Sequence, residues 1–266
     1  MQKKALVVDS DFFFVEFLSG LLSKRGYRVL KAYNGKEGIA KLEYETVDIL
    51  FADLVLPKVD GWQFFKLIRN KYNGNHFPMV ALSGTMIEQL GSLQEIGADY
   101  LIAKGPIDQL TLKLNDFMAE FETQPFLPPV DKKVLTTENV FPRRDAVELL
   151  NSMQFHQAVI NCAAVGILIV DSDTRIIGVN PAALEIMGRT SVEIINYPLA
   201  ELFGQGQQAA LVNGLRVVSR QGKTEQVSLK VNICSQAVRA LISPLEFKSK
   251  FAGWVIALES GFQGEN

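Results

Sequence analysis

The chain has 266 residues, of which 48% are hydrophobic and 21% charged, and a formal net charge of -2. This composition excludes a disordered or collagen-like chain. No block of Lys and Arg offers a footprint for nucleic acid, so none is expected as a partner. The length predicts two domains, each able to bury its own core. Two cysteines, Cys162 and Cys234, and two distant histidines make neither a disulfide framework nor a zinc cage. The apolar N-terminus is broken by Asp9 and Asp11 before a signal-peptide core can form. The longest apolar run, 162–170, is about half of a membrane span. A soluble, cytoplasmic protein with reduced thiols and no membrane partner is expected.

In chain order, Ala5–Val8 reads as a strand ending at Asp9. Phe12–Arg25 carries apolar residues at helical spacing, and Gly26 stops it. Tyr27–Ala32 reads as a strand, Lys36–Leu42 as a helix and Asp48–Asp53 as a strand. Leu54–Gly61 is a loop, Trp62–Asn70 a helix, Met79–Ser83 a strand and Ile87–Ile96 a helix. Tyr100–Ala103 is a strand and Ile107–Phe121 a helix. Alternating β and α elements with continuous apolar strands predict an α/β fold, a doubly wound five-stranded parallel sheet covered on both faces. Such sheets bind at the carboxyl ends of their strands. Asp9, Asp53, Ser83 and Lys104 all fall there.

The pattern changes at Thr123–Pro142, where four prolines and little periodicity predict a linker. A helix is expected over 143–163. Beyond Gly166, short strands at Ile167–Val170, Arg175–Val179, Gln226–Lys230, Ala237–Ser243 and Trp254–Leu258 enclose helical pieces at Pro181–Met187 and Gln207–Ser219. They predict an α+β domain with an antiparallel sheet. Asn180-Pro181 is a helix start, Asn as the cap and Pro at the first helical position. The expected organisation is therefore a domain over 1–122, a linker over 123–142, a connecting helix over 143–163 and a second domain over 164–260. Output is expected to come through these two domains alone.

The four strand-end residues suggest a chemistry. Two close carboxylates repel each other unless a hard cation sits between them, and Mg2+ suits oxygen ligands. Ser83 adds a hydroxyl and Lys104 a fixed positive charge. A carboxylate nucleophile, a metal and a lysine are the parts needed to accept a phosphoryl group as an acyl phosphate. Ser10 and Asp11 are equally suited to cap the helix that begins at Phe12, and Asp60-Gly61 reads as a turn.

Leu6-Val-Val-Asp9, Asp48-Ile-Leu-Phe-Ala-Asp53-Leu-Val-Leu-Pro57, Asp60-Gly61, Ala81-Leu-Ser83-Gly84 and Gly97-Ala-Asp-Tyr-Leu-Ile-Ala-Lys104 are in order and register. Over roughly the first 120 residues the chain resembles the receiver domain of two-component response regulators. The resemblance implies Asp53 as phosphoacceptor and Asp9, Asp53 and the backbone carbonyl of Val55 as Mg2+ ligands. It implies Ser83 as a switch residue and Lys104 as the counter-ion of the phosphoryl group. The family's second acidic residue is here Ser10, leaving Ser10 or Asp11 as the further candidate ligand. Its aromatic switch position is Leu101, with Tyr100 one residue early, and Gly105 separates Lys104 from Pro106. A looser likeness to haloacid-dehalogenase phosphatases, through Asp9-x-Asp11, leaves Asp53-x-x-x-Pro57 unexplained.

Gly166-Ile-Leu-Ile-Val-Asp171, Arg175-Ile-Ile-Gly-Val-Asn180-Pro-Ala-Ala-Leu-Glu-Ile-Met-Gly188 and Glu201-Leu-Phe203 resemble a PAS domain over roughly 158–260. That family implies a sensory or dimerising module. Cys162, ahead of the first strand, reads as a buried thiol, and no residue identifies a bound cofactor. Ala146, Leu149, Met153, His156, Ile160 and Ala163 are spaced as a short heptad seam. The seam suits a homodimer through 146–163, with His156 facing its twin, or equally one helix packed on its own sheet. Taken together, these resemblances imply a non-enzymatic response regulator. A histidine kinase would phosphorylate it, and its output would be contact with a downstream signalling protein. The alternative is a small-ligand sensor with a regulatory or degenerate receiver.

Overall fold

A computed structural model of the protein describes residues 2–72, 77–84, 96–123, 133–135, 152, 155–220, 226–234 and 236–260. His76, most of the helix expected at Ile87–Ile96, most of the linker and much of the connecting helix lie outside these residues. The chain divides into two compact units, Met1–Met153 and Gln154–Asn266.

In the first unit the strands are β1 (Lys4–Val8), β2 (Arg28–Ala32), β3 (Ile49–Asp53), β4 (Met79–Ser83), β5 (Tyr100–Ala103) and β6 (Lys133–Leu135). They form one sheet in the order β2-β1-β3-β4-β5-β6, and every pair is parallel. The five expected strands keep the flavodoxin-like order 2-1-3-4-5. The sixth, β6, lies within the stretch read as a linker, and its backbone adds to the free edge of β5. β3 and β4 are buried along their whole length, because both faces of the sheet are covered. On one face Val7, Phe51, Val80 and Ile102 pack against Val15, Leu18 and Leu22 of helix α1 (Phe12–Lys24). The helix Ile107–Thr123 adds Leu110, Leu114 and Phe117 to this core. Phe64, Phe65 and Ile68 of helix α3 (Gly61–Lys71) are also buried, as is Ile39 of helix α2 (Gly35–Tyr44).

The second unit holds β7 (Gly166–Asp171), β8 (Ile176–Val179), β9 (Val227–Ile233), β10 (Gln236–Phe247) and β11 (Lys250–Ser260). They make an antiparallel sheet in the order β8-β7-β11-β10-β9. Helix Gln205–Arg220 buries Leu211, Leu215 and Val218, and the Trp254 indole N–H donates to the Leu215 carbonyl at 3.1 Å. β10 and β11 run further than the sequence predicts. Beyond Ile242 and Gly253 they lose their outer neighbours and continue as a two-stranded ribbon through Phe247 and Lys250. Pro244 and Glu246 do not read as buried strand, and the pairing that extends them comes from the partner strand.

Asn180 organises the start of this unit. It is fully buried and caps helix Pro181–Met187 by accepting from the Ala183 N–H at 3.0 Å. The same oxygen accepts from the Ile167 N–H at 2.7 Å. Its amide donates to the carbonyls of Val165 at 2.8 Å and Ile160 at 3.2 Å. One side chain thus ties the end of the helix 155–161 to β7. The rest of that helix is largely exposed, which corrects the reading of Cys162 as a buried thiol: it is exposed, because only the end of the helix is anchored to the sheet. Ala146, Leu149 and Met153 of the heptad seam lie outside the described residues, and His156 is exposed. Among the described residues no helix is long and apolar enough to cross a membrane.

Removing a buried side chain that satisfies several backbone groups costs about 3 kcal/mol. Asn180→Ala is expected to destabilise the second unit by that amount and leave the first unit unchanged. Urea unfolding followed by Trp254 emission in a Trp62→Phe background, against Trp62 emission in a Trp254→Phe background, checks this.

Candidate functional site

The parallel sheet brings the strand-end residues together. Asp9 follows β1, Asp53 ends β3, Ser83 ends β4 and Lys104 follows β5. The backbone fixes their heights: the Asp9 N–H donates to the Ala32 carbonyl at 3.1 Å, and the Lys104 N–H to the Ser83 carbonyl at 2.6 Å. Asp9 is 1% exposed and Ser83 2%. The Lys104 ammonium lies between the two carboxylates and donates to Asp9 Oδ2 at 2.6 Å and Asp53 Oδ2 at 2.5 Å. The other oxygens are also used. Asp9 Oδ1 accepts from the Asp11 N–H at 2.9 Å, and Asp53 Oδ1 from the Val55 N–H at 3.1 Å.

Burial pushes the Asp9 carboxyl above its ordinary pKa. The charge of Lys104 partly offsets this, and that of Asp53 adds to it. For Lys104, burial alone would lower the ammonium's pKa. The charges and hydrogen bonds of Asp53 and Asp9 outweigh it, and the net direction is up. The ammonium is thus held in its charged form between the two carboxylates.

The loop that follows Asp53 is held close. A Cβ at Gly61 would collide with the Asp53 carbonyl, and one at Gly35 with the Val59 carbonyl, so the first turns of α3 and α2 both press on the loop backbone. Asp60 caps α3 by accepting from the Gln63 N–H at 3.0 Å. The sequence shows Asp60-Gly61 as a turn but not the contact that requires the glycine, because the partner is made by tertiary packing.

The neighbours of Asp9 resolve differently. Asp11 caps α1, accepting from the N–H groups of Phe13 at 2.9 Å and Phe14 at 3.3 Å, so its carboxylate is engaged away from Asp9. Ser10 is exposed. Tyr100 and Leu101 occupy opposite faces of β5. The Tyr100 ring meets Phe117 edge-on at 5.0 Å, on the face covered by the helix Ile107–Thr123, while Leu101 is fully buried on the other.

One site residue goes unnoticed in the sequence. The Phe14 ring lies 4.5 Å from the Lys104 ammonium. Its helical spacing with Phe17, Leu18 and Leu21 places Phe14 on the apolar face of α1, but the contact with Lys104 joins distant segments and appears only in the folded chain. Among the described residues no cluster of three or more His, Cys, Asp or Glu could hold a metal. Asp9 and Asp53, converging on one cation, suit a hard ion that keeps several of its waters, as Mg2+ does.

This doubly wound fold with an acidic pocket at its strand ends has recognisable relatives. Residues 5–115 match the response regulator receiver domain, and residues 154–258 match the PAS fold. The chain joins a receiver domain to a PAS domain. It is 33% identical over 99 residues to the transcriptional regulatory protein YcbL of Bacillus subtilis, covering 37% of this chain and 43% of that protein. It is 27% identical over 150 residues to the response regulator GtcR of Aneurinibacillus migulanus, covering 54% and 58%. A crystal structure of a two-component response regulator from Clostridium difficile is 28% identical, covering 46% of this chain and 94% of that one, with a TM-score of 0.40. The chain spans about half the length of the curated relatives it matches.

Removing the shared cation leaves two carboxylates facing each other. Lys104→Met is expected to destabilise the first unit by about 3 kcal/mol at pH 8. The loss shrinks as pH falls, because Asp9, with its raised pKa, takes up a proton and the repulsion ends. In the wild type the elevated Lys104 pKa works in the opposite sense: its stabilising contribution is full below 10.5 and is lost as pH rises through the higher folded value. Urea unfolding of both proteins on the Trp62 signal, from pH 4 to pH 11, measures these slopes.

Proposed function

We propose that the protein is a response regulator of a two-component system. A histidine kinase phosphorylates it on Asp53, and its PAS domain carries sensing, dimerisation or contact with a downstream signalling protein. The observation that carries this reading is the Lys104 ammonium shared between Asp9 and Asp53 at the strand ends of a receiver domain.

Each residue has a chemical task in this reading. An Asp53 oxygen attacks phosphorus, the bond from phosphorus to the donor's nitrogen or oxygen breaks, and an acyl phosphate forms. Lys104 follows the transferred oxygens as a fixed positive charge, and Ser83 turns its hydroxyl to them. Asp9, Asp53 and the Val55 backbone carbonyl would hold Mg2+, whose contribution is to neutralise charge on the phosphoryl oxygens. The acyl phosphate carries about −1.5 to −2 charges where the Asp53 carboxylate carried one, so the pocket becomes more negative by up to about one charge. Lys104, Ser83 and the loops that bear them then favour a different member of an existing equilibrium. Leu101 fills the aromatic switch position without an aromatic ring, so a Ser83 response there proceeds against an aliphatic side chain. Output is a change in protein contact and not the turnover of a metabolite.

Acetyl phosphate with Mg2+ tests the reading. The wild-type mass is expected to rise by one phosphoryl group, and Asp53→Asn is expected to stay unmodified. Label retained in Asp53→Asn and lost in Asp9→Asn would move the nucleophile to Asp9 and overturn the proposal. The missing carboxylate at Ser10 has its own consequence. Ser10→Asp is expected to tighten Mg2+ binding about tenfold, equal to about 1.4 kcal/mol, in a titration read by Trp62 fluorescence; unchanged affinity would show that position 10 does not reach the ion.

A further inference from the structure

Lys104 has a third neighbour besides the two carboxylates, and it is unusual in kind. An ammonium carries three N–H donors. Two go to Asp9 and Asp53, and the face of the Phe14 ring lies 4.5 Å from the same nitrogen. This is well within the range of a cation–π contact, which gains strength when the cation is desolvated. The Lys104 side chain is 19% exposed, so little water competes.

The aromatic triplet shows that this placement is specific to one ring. Phe12 and Phe13 are 56% and 81% exposed, and Phe12 stacks on Tyr33. Phe14, one residue on, turns inward, contacts Phe17 at 6.0 Å and packs on the core face that α1 covers. The Asp11 cap fixes the start of α1 and with it the direction of Phe14. Leucine or methionine would fill such a half-buried position, but neither offers a π face to an ammonium.

All four carboxylate oxygens of Asp9 and Asp53 already have partners: two backbone N–H groups on the Oδ1 atoms and Lys104 on the Oδ2 atoms. Each oxygen keeps a further lone pair, but a divalent cation at the Oδ2 atoms meets the Lys104 ammonium at close range, and the two positive charges repel, so the lysine has to exchange its place for the ion. Whatever holds the ammonium in place therefore opposes that exchange.

We propose that Phe14 is a positioning residue for Lys104: its ring holds the ammonium between Asp9 and Asp53, and so sets how readily the lysine gives way to a divalent cation. The proposal rests on the receiver reading of this pocket and deepens it by assigning the control of metal entry to a side chain outside the acidic set.

The test uses the full chain and three variants. Phe14→Leu keeps an apolar side chain of similar size and removes the π face; Phe14→Tyr keeps the ring; Phe14→Met stands in if the leucine variant does not fold. In the wild type the Lys104 ε-methylene protons are expected to carry an upfield ring-current shift, retained in Phe14→Tyr and lost in Phe14→Leu. Isothermal titration with Mg2+ is expected to show about three- to tenfold tighter binding in Phe14→Leu, with Phe14→Tyr at the wild-type value. Wild-type affinity in Phe14→Leu, a tyrosine variant that behaves like the leucine one, or no Mg2+ binding in any of them overturns the proposal. Labelling by acetyl phosphate separates the two claims. An unlabelled Asp53 with the expected shift and titration removes the receiver chemistry and leaves the Phe14 contact standing.

Discussion

One ammonium group holds the ends of three strands to a common point. Lys104, just past β5, reaches Asp9 past β1 and Asp53 at the end of β3, and its charge offsets the repulsion between the two carboxylates. Everything else in the first unit serves this contact. The parallel sheet sets the strand ends at one level, and its central strands are apolar throughout because helices cover both faces. The result is a pocket in which two carboxylates share one ammonium and which is therefore sensitive to any further ion.

Glycines supply the second constraint. Gly35 and Gly61 open the first turns of α2 and α3, and each touches backbone of the loop after Asp53 so closely that no Cβ fits. The loop is thus gripped from two sides, and the Val55 N–H is brought to the Asp53 carboxylate. Site geometry here depends on residues with no functional group at all. Lys58 in the same loop takes a positive φ of 69°, a backbone state that a non-glycine residue adopts only where its surroundings hold it.

The second unit solves a different problem. Its antiparallel sheet begins from a segment with little apolar anchoring, and the buried amide of Asn180 replaces that anchoring with hydrogen bonds to four backbone groups at short range. The ribbon formed by the ends of β10 and β11 closes on Lys248 and Ser249, both at positive φ, in the tight-turn conformation that matches the twist of paired strands. The receiver domain is built around a charge contact, the PAS domain around a polar anchor in an otherwise apolar core.

The amino-acid sequence by itself determined the element types, the parallel and antiparallel sheets and the placing of Asp9, Asp53, Ser83 and Lys104 at strand ends, because periodicity and strand-end position are local properties. It also determined the Asn180-Pro181 helix start, which depends on adjacent residues alone. It left open whether Ser10 or Asp11 caps α1, and the structure chose Asp11. It did not show that Phe14 faces Lys104 across 90 residues of chain, that Gly61 touches Asp53, that Cys162 is exposed, or that residues 133–135 extend the sheet. Each of these is a relation between distant segments, and only the packed chain brings the two partners within reach of each other.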